Sequence, residues 1–156
     1  MSRTSKALDT LTELARDARD QAGQLLAHER KNETQIKAQQ ETLMEYRQEY
    51  AAQLQKLMLE GVDPVTLHNY RQFLMSLDSS IEKAGQALYQ QQGRVNATKE
   101  QWQQQQKKLS SYSTLGERRA AQERKKAQRI EQNQTDDMTT TRHSRKLRQL
   151  RLAEGV

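Results

Sequence analysis

Apolar residues recur at every seventh position through the second half of this 156-residue chain. The row comprises Leu67, Leu74, Ile81, Leu88, Val95, Trp102 and Leu109. Because such a repeat keeps its apolar side chains on one side of a slightly underwound helix, the segment must lie against another helix. A second row, three positions further on, completes the spacing of a coiled-coil face. This companion row reads Tyr70, Leu77, Ala84, Gln91, Thr98, Gln105 and Tyr112.

The first half of the chain supplies a partner helix with the same period. Its main row is Leu8, Ala15, Ala22, Glu29, Ile36, Leu43, Tyr50 and Leu57. Two companion rows compete for the other half of this seam. One lies three positions on and reads Leu11, Ala18, Leu25, Asn32, Gln39, Tyr46 and Gln53. The alternative row contains Leu26, Glu33, Gln40, Arg47 and Leu54, and it would leave Gln39 and Tyr46 outside the seam.

The short segment between the two halves carries helix stop and start signals. Gly61 can adopt the left-handed conformation that ends a helix, and Asp63 can cap the next one. Pro64, the only proline in the chain, fits a first helical turn, where no backbone N–H is needed. Val62 and Leu67 have the spacing of a hydrophobic staple around this cap. So short a connection predicts an antiparallel hairpin.

The predicted fold class is therefore all-α: a long antiparallel two-helix coiled coil with a turn near 61–63. The helices are expected to span roughly residues 5–60 and 64–130, and each would extend on the order of 75 Å at about 1.5 Å per residue. The single tryptophan would lie against small residues of the first helix, where an indole has room. The predicted packing residues are Ala15, Ala18, Ala22, Ile36, Leu74, Ile81, Leu88, Val95, Trp102 and Leu109.

The composition excludes several classes of protein. Apolar residues make up 33% of the chain, aromatic residues 4%, and the mean hydropathy is −1.11, which is too polar for a multilayer globular core. No apolar run approaches the roughly 18 residues of a membrane span, and the N-terminus lacks the apolar stretch of a signal peptide. There is no cysteine, so a disulfide framework is excluded. We expect a cytoplasmic protein.

Charge is concentrated in the last quarter of the chain. Residues 1–116 carry 15 Lys and Arg against 14 Asp and Glu, whereas residues 117–156 carry 11 against 6. The basic positions include Arg118, Arg119, Arg124, Lys125, Lys126, Arg142, Arg145, Lys146, Arg148 and Arg151. Nothing in this region requires burial, so we expect a hairpin over residues 1–132 and a flexible basic tail over 133–156, with a short helix at 144–153. Such a tail could contact an acidic protein surface or nucleic acid.

No pattern of catalytic or metal-binding residues is present. His28, His68 and His143 are scattered and lack the spacing of a zinc site. The glycines are too far apart to form a phosphate-binding loop. We therefore expect no enzymatic activity, metal, cofactor or small-molecule substrate.

Aromatic residues cluster on both sides of the turn. Tyr46, Tyr50, Tyr70 and Phe73 lie among several leucines and methionines. Because a two-helix seam cannot enclose all of these side chains, part of the cluster must face water or a partner. The competing interpretation is that they form only the best-packed end of the hairpin.

At these positions the chain resembles the FliJ family of flagellar export proteins. The matching segments are 7–11, Gln39 with 43–50, 69–74 with Leu77, 81–82, and Trp102. The resemblance covers about residues 5–130. It implies a stalk like that of rotary ATPases, a cytoplasmic component of the flagellar type III export apparatus. The implied partners are the export ATPase hexamer, which receives the end carrying both termini, the cytoplasmic domain of the export gate, and export chaperones.

The resemblance also implies a gate-binding surface of exposed residues on both helices. The matching positions are Gln39, Leu43, Tyr46, Tyr50, Phe73 and Leu77, and two further positions of that surface read Ser80 and Ala84 here. Through the gate the protein would associate peripherally with the inner membrane. The alternatives are the stalk protein of a virulence type III secretion system and a basic coiled-coil protein that binds nucleic acid. Of the possible partners, nucleic acid is the less favoured.

Overall fold

The computed structural model describes residues 3–155 and consists of two long helices. Helix α1 spans Arg3–Glu60 and helix α2 spans Pro64–Glu154. They pack against each other, which confirms the predicted all-α coiled-coil fold. Of the predicted N-terminal domain, Met1 and Ser2 lie outside the described residues, as does Val156 of the predicted tail.

The turn between the helices occupies residues 61–63, where the sequence predicts it. Gly61 has φ +96°, a left-handed conformation that residues with a Cβ rarely adopt. The Asp63 carboxylate accepts hydrogen bonds from the Thr66 amide at 3.3 Å and from the Thr66 hydroxyl at 2.6 Å. The Asp63 carbonyl accepts the first helical bond, from the Leu67 amide at 3.1 Å. Asp63 is thus the N-cap of α2, and Pro64 is its first helical residue.

One compact unit comprises residues 13–109 and contains the turn. Within it, both predicted rows of α2 are buried or half-buried at every position from Leu67 to Gln105. The main row of α1 is covered in the same way from Ala15 to Leu57. Contacts between the helices join residues about equally distant from the turn, such as Gln40 with Gly85 and Arg19 with Gln106. This is the pairing of an antiparallel seam.

The structure also chooses between the two companion rows of α1. Leu26 and Leu54 of the alternative row are buried, and Glu33, Gln40 and Arg47 are half-buried. Of the other row within this unit, Leu25, Gln39, Tyr46 and Gln53 are exposed. The cross-helix contacts give a physical reason, because Gly85 leaves space for the Gln40 side chain and Asp78 pairs with Arg47. The register that leaves Gln39 and Tyr46 outside is therefore the correct one.

A polar layer interrupts the apolar seam near its middle. Gln91 is only 5% exposed, and its side-chain N–H group donates to the backbone carbonyl of Glu29 at 2.9 Å and to the Glu29 carboxylate. Two turns away, the buried Thr98 hydroxyl donates to the Arg94 carbonyl at 2.8 Å. Because a Gln91 facing an apolar side chain would lose these bonds, the layer favours a single register.

The second compact unit contains residues 3–12 and 110–155 among those described. Leu8 is buried here, and a Cβ added to Gly116 would lie 3.8 Å from the Leu8 side chain. The Arg119 guanidinium donates a hydrogen bond to the Thr4 carbonyl at 3.2 Å. Along α2 the last half-buried residue is Ala121.

Residues 122–155, here termed the C-terminal arm, are exposed at every position. The sequence predicts a helix end near 130 and a flexible tail over 133–156. Instead, α2 continues without a break through this boundary to Glu154. The segment is rich in good helix formers, and the hydroxyls of Thr135, Thr139, Thr140 and Thr141 each donate to the carbonyl four residues earlier. Local interactions are therefore compatible with a helix that has no apolar seam.

Candidate protein-interaction surface

Three aromatic side chains from both helices meet near the turn. The Tyr50 ring lies 4.5 Å from the Phe73 ring, measured between centroids, with 48° between the planes. It lies 6.1 Å from the Tyr70 ring, at 52°. These are tilted arrangements at distances where aromatic pairs attract one another. Tyr50 is half-buried, so it joins the two helices instead of standing free in solvent.

Other members of the predicted surface are open to solvent. Tyr46 is 50% exposed and Phe73 is 42% exposed, although Phe73 also contacts Tyr50. Gln39 is exposed, and Leu43 is half-buried. Gln39 and Leu43, together with Ala38 and Thr42, line a shallow depression on α1. A partner could therefore reach Gln39, Tyr46 and Phe73 directly, and Leu43 and Tyr50 in part.

Leu77 differs from the others, because it is only 7% exposed. The resemblance implied an exposed binding residue here, whereas the structure buries this side chain in the companion row of α2. Ser80 and Ala84, the two further positions of the implied surface, are half-buried. On α2, the accessible part of the surface is therefore centred on Phe73.

An ion pair joins the helices at this end. The Arg47 guanidinium donates to both carboxylate oxygens of Asp78. The hydrogen bond and charge of Asp78 raise the pKa of Arg47 above its ordinary value. Arg47 directly follows Tyr46, and Asp78 directly follows Leu77. The pair therefore links the two helices beside the aromatic residues, and sequence reasoning missed it, although Arg47 was a candidate seam position.

The ten predicted packing residues are all buried or half-buried. The immediate contact of the tryptophan, however, was not anticipated. A Cβ added to Gly23 would lie 3.3 Å from Nε1 of Trp102 and 3.4 Å from its Cδ1. The indole thus lies against Gly23, next to Ala22, at a distance where an added Cβ would be a tight contact. The sequence did contain a signal for this contact, because Gly23 and Trp102 lie about equally many residues from the turn.

The large exposed side chains of this surface are of the kind found at protein interfaces. Among residues 3–155, no three His, Cys, Asp or Glu side chains are grouped in a way that could hold a metal ion. Within the same residues, no helix is both long enough and apolar enough to cross a membrane. The surface instead combines fixed rings with exposed ones, and tyrosine and other large side chains are enriched where proteins bind one another.

Fold and surface together define an all-α coiled-coil protein that exposes an aromatic patch near its helical turn. A family model described as flagellar FliJ protein matches residues 4–148. The chain is also 29% identical over 140 residues to the flagellar FliJ proteins of Salmonella typhi and Escherichia coli K12, covering 90% of this chain and 95% of each relative. The chain belongs to the flagellar FliJ family.

Proposed function

We propose that this protein is a non-catalytic component of the flagellar type III export apparatus. In this role it is the central stalk of the export ATPase ring, couples that ring to the export gate, and escorts the chaperones of export substrates. It would lie in the cytoplasm, held at the inner membrane through the gate. Family membership over nearly the whole chain supports the assignment to flagellar export.

The observation that carries the coupling role is the exposed aromatic patch beside a fixed aromatic contact. Tyr50 and Phe73 hold their rings 4.5 Å apart, which limits the rotamers that Phe73 can occupy before a partner binds. Preorganised side chains lose less conformational entropy on binding. Tyr46, half exposed, would add a large contact area at a cost of only two side-chain torsions. We assign gate contact to Gln39, Leu43, Tyr46, Tyr50 and Phe73, with Leu77 supporting them from the seam.

A binding experiment with the purified cytoplasmic domain of the export gate tests this assignment. Tyr46→Ala and Phe73→Ala should each weaken binding at least tenfold, the effect expected of hot-spot residues. Their helicity, followed by circular dichroism, should stay nearly unchanged because neither side chain belongs to the covered rows of the seam. Motility of cells carrying these variants should fall in parallel.

Two control variants separate recognition from packing. Tyr89→Ala removes another exposed tyrosine on α2, outside the assigned surface, and should bind the gate like the parent protein. Ile81→Ala removes a half-buried seam residue, so it should lower the melting temperature more than it weakens gate binding. If Tyr46→Ala and Phe73→Ala bind the gate as tightly as Tyr89→Ala does, the aromatic patch is not the gate-binding surface.

A further inference from the structure

The last part of the C-terminal arm carries a dense positive charge. Arg142, Arg145, Lys146, Arg148 and Arg151 fall within ten residues, and no acidic residue occurs between Asp137 and Glu154. Every residue of this segment is helical and exposed. None of these five side chains lies in the seam, so folding of the hairpin does not account for their concentration here.

The same segment exposes two leucines on a single helical face. Leu147 is 47% exposed and Leu150 is 57% exposed. Together with His143 they follow the i, i+4, i+7 spacing of one side of a helix. The basic residues lie off this face, and two of them border it, since Lys146 is four residues before Leu150 and Arg151 is four residues after Leu147. The segment is thus a short amphipathic helix with a basic polar side.

We propose that residues 139–153, which end before Glu154, bind the surface of a membrane that contains anionic phospholipids. The helix would lie in the plane of the surface, with Leu147 and Leu150 inserted between headgroups and the basic side chains on lipid phosphates. Charge complementarity selects this occupant, because a leucine face bordered by Lys and Arg is the pattern of interfacial membrane helices. Long basic side chains beside the leucines can extend toward the headgroups while their stems remain near the acyl boundary.

Two other occupants fit the observations less well. A nucleic acid would use the five basic residues, but phosphate contacts give no role to exposed leucines. Bases of a single strand would stack on aromatic side chains, and the last aromatic residue of the chain is Tyr112. An acidic protein groove could accept the leucines, yet two of them at i and i+3 give a narrow face for a helix bound in a groove. The proposal adds a direct lipid contact and does not depend on the gate contact proposed above.

Cosedimentation of the full-length protein with lipid vesicles tests the proposal. We expect binding to phosphatidylcholine vesicles that contain ~30% phosphatidylglycerol and no binding to phosphatidylcholine alone, since the headgroup charge attracts the basic residues. Raising the ionic strength should weaken the binding. Replacing Arg145, Lys146 and Arg148 together with glutamine should lower the affinity by about fivefold for each charge removed.

Matched variants locate the contact on the arm. Replacing Arg124, Lys125 and Lys126 with glutamine removes the same charge from another part of the arm, and it should cost far less affinity. Leu147→Ser with Leu150→Ser should lower vesicle binding at least tenfold. Leu152→Ser, which changes a leucine that is 75% exposed and lies on a different face, should have little effect. Trp102 fluorescence in each variant reports whether the seam is still folded.

Three results would overturn the proposal. One is equal binding to neutral and anionic vesicles, or binding to neither. Another is an equal loss of affinity when Arg124, Lys125 and Lys126 or when Arg145, Lys146 and Arg148 are replaced with glutamine, because net charge would then govern binding. An equal loss of affinity in the double Leu147→Ser, Leu150→Ser variant and in Leu152→Ser would likewise show that general apolarity, and not this face, governs binding. The third is tight binding of a DNA duplex without vesicle binding, which would identify nucleic acid as the occupant.

Discussion

Two stretches of α2 are equally helical but are stabilised in different ways. From Leu67 to Leu109, every seventh residue is covered by α1. From Gln122 to Glu154, every residue is exposed. The first stretch derives its stability from burial across the seam, whereas the second has only its intrinsic helix propensity and interactions within its own helix. The comparison teaches that a helix in this protein is not in itself a sign of a packed interface.

The difference has a consequence for function. The covered stretch and the part of α1 packed against it present only the side chains that the seam leaves outside, such as Phe73 and Tyr46, and the Phe73 ring is held against Tyr50. The C-terminal arm presents its whole circumference. Specific recognition of a shaped surface suits the former, and contact with a charged, less structured surface suits the latter.

The largest test of the comparison is Trp102→Ala. Truncating a half-buried indole in the covered stretch should lower the free energy of unfolding by about 2–3 kcal/mol, measured by urea denaturation. Leu150→Ala in the C-terminal arm is the matched control and should change that free energy by less than about 0.5 kcal/mol, because an exposed side chain loses little on truncation. A native Trp102 emission spectrum typical of full water exposure would contradict the packing.

Residue patterns predicted the covered stretch because its determinants are periodic or local. The two rows of α2 differ enough in polarity from the sequence between them to define a face, and the signals at Gly61, Asp63 and Pro64 each act within a few residues. The register of α1 was left open because its two candidate rows are similarly polar. Cross-helix contacts such as Arg47 with Asp78 distinguish them, and no spacing within one helix encodes such a contact.

The candidate surface and the arm were predicted less completely for related reasons. The aromatic cluster is visible in the sequence, but the burial of Leu77 depends on the register that contacts between the helices select. The sequence indicated a helix up to about residue 130 and a short one at 144–153, but not the continuous helix between them, because helix formation was tied to burial and every residue from 131 to 143 is exposed. This part of the arm contains threonines and aspartates, which are poor helix formers on average, so its composition did not indicate a helix.

Two glycines, Gly93 in the covered stretch and Gly23 on the α1 side of the seam, allow a smaller and sharper test. Gly93 is exposed, with open space where a Cβ would lie, so Gly93→Ala should stabilise the protein by about 0.5–1 kcal/mol through helix propensity. Gly23→Ala gains the same propensity, but its methyl group would lie 3.3 Å from the Trp102 indole. We expect no net gain there, measured by urea denaturation. Equal stabilisation by both substitutions would show that the indole moves freely and is not held by the seam.

The smallest expected effect is at the turn, where the N-cap residue Asp63 precedes the covered stretch of α2. The hydroxyl of Thr66, and then its amide, hold the pKa of Asp63 below its ordinary value of 3.8. A carboxylate whose pKa is lower in the folded protein stabilises it above the unfolded pKa, and this contribution is lost as pH falls through the folded pKa. The melting temperature should therefore contain a component from Asp63 that disappears below about pH 4.

Asp63→Asn keeps a capping side chain without a titrating group, so the melting temperature of this variant should fall less steeply on the acid side than that of the parent protein. Asp78→Asn, which removes a carboxylate from the Arg47 pair and leaves the cap intact, is the control for a general loss of acidic charge. Identical acid profiles for the parent protein and Asp63→Asn would show that the cap stabilises the turn through its geometry and not through its charge.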